Sequence, residues 1–110
     1  MLPEVFEKIV DEQMEICRET LGLKAEEYAS DGDRLHNFRI SAEMQHCTLQ
    51  QALGGIMAKH TVSIYDLIAS PESSDLSLWN EKIKDHINYL LLLKAILVEE
   101  KIQSMEAKRA

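Results

Sequence analysis

Apolar residues recur along this chain with the period of a helix, and no alternation with a period of two persists beyond a few positions. The pattern predicts four helices. The first begins near Pro3, a residue suited to an opening turn, with Glu4 and Glu7 at the positive end of the helix dipole, and runs to about Ser30. On it Phe6, Ile9, Val10, Ile16, Cys17, Leu23 and Tyr28 share one face, while Glu12, Glu15, Glu19 and Glu26 occupy the other. Lys24 and Glu27 fall inside the apolar arc. Charges in such a place either sit at the rim of the core or are paired within a site.

Ser30-Asp31-Gly32-Asp33 reads as a turn, with Asp31 or Asp33 available to cap a short helix over about Arg34 to Met44. Leu35, Phe38 and Ala42 point inward in that reading, and His36 and Asn37 lie between inward positions as capping, surface or ligand groups. Gln45-His46-Cys47 interrupts the pattern. Thr48-Leu49-Gln50-Gln51 is a capping box, and a third helix continues from it to about Ile68. His60 stands near the centre of its apolar face, with Lys59 just off it. A histidine there serves either as a packed core residue or as a ligand. Gly54-Gly55 would let another helix or a ligand approach the backbone.

Residues 69–78 form a linker, in which Ser70-Pro71 favours a stop and Ser77 is a candidate cap for the fourth helix. That helix runs from about Trp79 to Met105 or later, frayed from Gln103. Its face of Ile83, Ile87, Leu90, Leu91, Leu97 and Val98 is apolar. Its opposite face carries Glu81, Asp85 and Asn88 within about 60° of one another at about 100° per residue, and continues into Leu92 and Ile96. Two such sides mean a central place in a bundle, or one side used in a homo-oligomer.

Composition supports this all-α reading: Ala, Leu, Glu, Lys, Met and Gln dominate, and two Pro and four Gly do little to interrupt the chain. At 110 residues one domain with a single core is expected, without staples of metal or disulfide. Twelve basic residues against 19 acidic argue against a nucleic-acid binder, though not against a small phosphorylated ligand held by a local cation cluster. The longest apolar run, Tyr89 to Leu93, is too short to span a membrane, and the start of the chain lacks the pattern of a signal peptide. Cys17 and Cys47 form no metal-type pair, and a reducing cytoplasm is inferred.

Three polar sets therefore interrupt otherwise apolar helix faces: Lys24 with Glu27, Lys59 with His60, and Glu81 with Asp85 and Asn88. Carboxylates a turn apart, joined by a third from another helix, offer the hard oxygen ligands that Mg²⁺ or Mn²⁺ prefers. The same spacing also occurs on solvated faces of ordinary bundles. No phosphate-cradling glycine motif, Gly-x-Ser-x-Gly elbow or His-Glu-x-x-His pair is present.

Lys24-Ala-Glu-Glu27-Tyr28, Asp33-Arg34-Leu35-His36-Asn37-Phe38, Lys59-His60 and Glu81-x-x-x-Asp85-x-x-Asn88-Tyr89, in this order, resemble small helical proteins of phages and prophages. That pattern is in turn similar to the all-α NTP pyrophosphatases, the MazG-like and dUTPase-like helical enzymes. The resemblance implies a MazG-like bundle in the host cytoplasm. It also implies Mg²⁺ on Glu27, Glu81 and Asp85, the carboxylates that would then be catalytic, and a nucleoside triphosphate cleaved between its α and β phosphates. Asn88 would match the polar residue after the carboxylates, and Lys24, Arg34, Lys59 and His60 phosphate-facing positions, with Asn37 a further ligand contact. The departure is in the acidic set: those enzymes carry Glu-x-x-Glu on one helix, whereas this chain has Glu27 with Asp31 four residues on. A reduced acidic set suits binding without hydrolysis, so three functions are expected to compete: a pyrophosphohydrolase, a protein that sequesters a nucleotide signal of host defence, and an interaction module whose polar residues form a buried ion-pair network.

Overall fold

The computed structural model describes residues 1–28, 32–70 and 75–109, apart from the side chains of 23–28. It contains helices α1 (Pro3–Tyr28), α2 (His36–Gln45), α3 (Leu49–Ala69) and α4 (Leu76–Arg109), and no strand among the described residues. The fold is an all-helical bundle with α4 at its centre. α4 packs against α3, which in turn carries α2, and it also meets α1.

Local chemistry accounts for the helix ends. Thr48 has an extended backbone, and its Oγ1 accepts from the Gln51 N–H at 3.1 Å. The Gln51 Oε1 accepts in return from the Thr48 N–H at 3.0 Å, which completes the expected capping box. Ahead of it, α2 stops because His46 takes a left-handed conformation, φ 52°. The Cys47 N–H then donates back to the Ala42 carbonyl at 3.0 Å, the bond that closes a helix C-terminus in this way. Gly32, with φ 75°, supplies the left-handed turn before α2.

Two boundaries differ from expectation. Asp75, not Ser77, starts α4: its Oδ1 accepts from the Leu78 N–H at 2.9 Å, and its carbonyl from the Trp79 N–H at 3.2 Å. These bonds fix Asp75 as the cap, its carboxylate at the positive end of the helix dipole, and Ser77 lies within the first turn. The tail from Gln103, expected to fray, is helical through Arg109, carried on by good helix formers. Pro71 and the Ser30-Asp31 half of the first turn lie outside the described residues.

The core is small. Leu35 just before α2, Phe38 on it, Leu53 of α3 and Ile96 of α4 are its buried members, ringed by Leu49, Ile56, Met57, Tyr89, Leu92 and Leu93. Ala42 is buried on α2, as expected, and Cys17 is fully buried on α1; Cys17 and Cys47 are both free thiols. The faces of α4 sort in a way the sequence left open. Asn88, Leu92 and Ile96 turn toward the core, while Leu90, Leu91, Leu97 and Val98 are left 40–51% exposed.

Arg39 ties the edges together. Its Nε donates to Asp33 Oδ2 at 2.6 Å, and its Nη2 donates to both carboxylate oxygens of Glu99 on α4, at 2.6 and 2.8 Å. Asp33 also accepts from the Leu35 N–H at 3.0 Å. The turn before α2 and the outer half of α4 thus share one guanidinium. The bonds from Arg39 and the Leu35 N–H hold the Asp33 carboxyl below its ordinary 3.8, and the two carboxylates push the Arg39 guanidinium further into its charged form. No helix among the described residues is long and apolar enough to cross a membrane.

Candidate functional site

Anchored in this way, the segment that leads into α2 lies over the middle of α4, and a cavity of about 240 Å³ opens between them. Asp85, Asn88, Tyr89 and Leu92 line it from α4, Arg34, Asn37 and Phe38 from the α2 segment, Ile56 from α3 and Leu21 from α1. The four α4 residues share the lining because spacings of three, four and seven return to one helix face. The fold therefore brings four of the expected ligand residues, Arg34, Asn37, Asp85 and Asn88, to one concavity.

Each has a distinct environment. Asn88 is 6% exposed, the one buried polar side chain among the described residues. Its Nδ2 donates to the Cys17 carbonyl at 3.4 Å, which fixes the orientation of the amide. Its Oδ1 is left buried, with no hydrogen-bond donor among the described residues. Buried acceptors are nearly always paired, and an unpaired one costs about 1–3 kcal/mol. Arg34, half-buried at the cavity, has no acidic partner among the described residues. Asn37 is exposed and lines the same cavity.

Asp85 is flanked by two cation-forming groups, with Lys84 Nζ at 3.8 Å and His60 Nδ1 at 3.9 Å. Both separations exceed hydrogen-bond length, so they act through charge, that of His60 only when it is protonated. The His60 ring also lies 4.7 Å from that of Tyr89, tilted by 40°. His60 is thus joined to the cavity through Asp85 and Tyr89, neither a plain core residue nor a lining one. Beside it, Thr61 Oγ1 and His86 Nε2 stand 3.2 Å apart, a second link between α3 and α4.

The remaining candidates sit apart. Glu81 and Lys59 are exposed and do not line the cavity. The side chains of Lys24 and Glu27 lie outside those described. Among the described residues no three His, Cys, Asp or Glu side chains come close enough to hold a metal ion. What the described donors offer a divalent cation is Asp85 with Glu81 one turn away, a set that suits Mg²⁺ only if ligand phosphates and water complete its shell.

Sequence reasoning treats Phe38 and Leu92 as apolar packing positions and gives no site role to them or to Tyr89, Leu21 and Ile56, which form the walls. The signal for Tyr89 and Leu92 is available, since they stand four and seven residues beyond Asp85 on the same stripe. Phe38 and Leu21 depend on how α2 and α1 pack, which no local pattern encodes. Comparison of the chain with protein-family models, curated proteins and solved structures returns no match, so the functional reading rests on the cavity's own chemistry.

Proposed function

We propose that this protein binds a nucleotide, or a closely related phosphorylated molecule, with the base in the cavity between α2 and α4 and the phosphates toward Arg34. One observation carries the reading. A single cavity combines aromatic and aliphatic walls with a buried carbonyl oxygen and a guanidinium that lack, among the described residues, a donor and an anion respectively. In this reading a planar base lies against the aromatic walls of Phe38 and Tyr89, and its ring or exocyclic N–H donates to Asn88 Oδ1. Arg34 matches a phosphate with its fork of donors. At about 240 Å³ the cavity is just below the usual range for ligand sites, about 300–1,000 Å³, which suits a base held inside with sugar and phosphates at the mouth.

Asp85 is the one carboxylate lining that cavity among the described residues, and this favours holding the ligand over cutting it. In the hydrolytic variant of the same reading, Asp85, Glu81 and Glu27 would hold Mg²⁺ against the phosphates. The metal would offset their charge and lower the pKa of a bound water, with Lys59 and His60 contacting phosphate.

A thermal-shift panel of nucleotides and cyclic nucleotides, with and without Mg²⁺, tests the proposal. Ligand at 100 times its Kd adds about 2.7 kcal/mol, a rise in Tm on the order of 10 °C for a chain of this length. Arg34→Gln should weaken binding of the phosphorylated form more than that of the free nucleoside. Release of the ligand by denaturation then separates the two variants: intact nucleotide means sequestration, monophosphate with pyrophosphate means an enzyme. A panel with no shift at all would refute the proposal and leave a helical interaction module.

A further inference from the structure

The protomer has too much surface for its mass. A compact monomer of 12.6 kDa exposes about 6,200 Å², whereas this chain exposes 8162 Å². Its radius of gyration is 16.9 Å, where about 13 Å is usual for 110 residues. The excess, about 2,000 Å², is of the size that one partner contributes to an obligate homodimer interface.

Much of it is apolar and lies on two helices. Leu2, just before α1, and Val5, Phe6, Ile9, Val10 and Met14 in its first half are 39–67% exposed, all within one half of the helix circumference at 100° per residue. The outer side of α4 has Leu91, Val98, Ile102 and Met105 at 40–51% exposure. Both stripes have heptad spacing, Leu2-Ile9 leading to the half-buried Ile16 along α1 and Leu91-Val98-Met105 on α4, as helices that pack side by side require.

Charge flanks the stripes with opposite sign. Between Glu4 and Glu19 the polar side of α1 holds six acidic residues, among them Asp11, Glu12, Glu15 and Glu19, against Lys8 and Arg18. On α4, Lys94, Lys101 and Lys108 recur every seventh residue beside Leu90 and Leu97, all three lysines exposed.

We infer that the occupant of this surface is a second copy of the chain, docked so that α1 of one protomer lies along the outer face of α4 of its partner. A two-fold axis makes the α1–α4 contact twice, so both stripes are covered and neither is left at an open end. The acidic border of α1 then meets the basic border of α4, and opposite charges set the pairing between helices. The acidic polar side of α1 disfavours the anionic membrane surface that would otherwise suit an amphipathic helix. This dimer does not depend on the cavity or its ligand.

Sedimentation equilibrium of the full chain, from low micromolar to hundreds of micromolar, tests it. The expected mass is twice 12.6 kDa. Ile9→Glu and Val98→Glu should each raise the dissociation constant by about 100-fold or more, because a symmetric interface buries each new carboxylate twice. Both positions are more than 40% exposed in the protomer, so circular dichroism should report unchanged helicity. Lys101→Glu should weaken association less, and in a salt-dependent way. A wild-type chain of single mass overturns the inference, whether or not it pellets with phospholipid vesicles, as does an assembly that survives both glutamate substitutions.

Discussion

Replacing Asn88 with leucine isolates what the cavity does from what the core needs. Asn88 is 6% exposed, and its Oδ1 is buried without a donor among the described residues. Removing an unsatisfied acceptor of this kind returns about 1–3 kcal/mol. The substitution loses the bond from Nδ2 to the Cys17 carbonyl, a neutral contact at 3.4 Å that is long for its type and contributes at most about 0.5 kcal/mol. Leucine is close to asparagine in shape and would face Leu92, Phe38 and Ile56 across the cavity. Some of the gain is offset by imperfect packing. Asn88→Leu should therefore leave stability unchanged or raise it by up to about 2 kcal/mol. In urea unfolding the midpoint should hold or increase with m unchanged, compared at one protein concentration so that association does not enter. The same variant should lose the rise in Tm produced by nucleotide. Asn88→Asp, which keeps the size but buries a carboxylate, should instead cost at least about 2 kcal/mol. A loss of more than about 1 kcal/mol in Asn88→Leu would mean that the amide is a structural group whose oxygen is paired. A neutral variant that still responds to nucleotide would remove Asn88 from the ligand site.

Acid should weaken the tie between Arg39 and the turn before α2. The folded-state pKa of Asp33 lies below its unfolded value near 3.8, so the Asp33–Arg39 pair contributes stability above that pH and loses it as pH falls through the folded value. Arg39→Met should flatten the stability–pH profile below about pH 4, as measured by urea unfolding at successive pH values. Thr48→Ala removes one half of the capping box on α3 and should cost about 1 kcal/mol, with the loss visible in the urea midpoint.

Much of this fold is legible in local sequence. The capping box at Thr48, the inward Leu35, Phe38 and Ala42, and the buried Cys17 follow from cap chemistry and from apolar spacing, which act over one or two helical turns. The start of α4 departs from expectation for a local reason too: Asp75 and Ser77 are both acceptable caps, and only the hydrogen bonds choose between them. Candidate site residues are partly legible. Asp85 and Asn88 share a stripe that any helical wheel displays, and that stripe meets Arg34 and Asn37 at one cavity. Glu81 lies on the same stripe yet is exposed, because it sits a turn beyond the cavity's lining. Periodicity reports the direction of a side chain around its own axis and carries no information on how far along the axis a neighbour extends.

By itself, then, the sequence determined that the chain is helical, where most helices begin and end, and which residues of each helix share a face, since those properties depend on neighbours within a few positions. Tertiary structure alone decided which of α4's two faces enters the core. The apolar side, with Leu90, Leu91, Leu97 and Val98, is the one left open, and the side bearing Asn88 is the one enclosed. The reason lies in packing between distant segments. Leu92 and Ile96 complete a core with Leu53 and Phe38, and once they do, Asn88 on the same face must be buried with them. That arrangement puts at a cavity wall an amide oxygen with no donor among the described residues, and an apolar stripe on the outside.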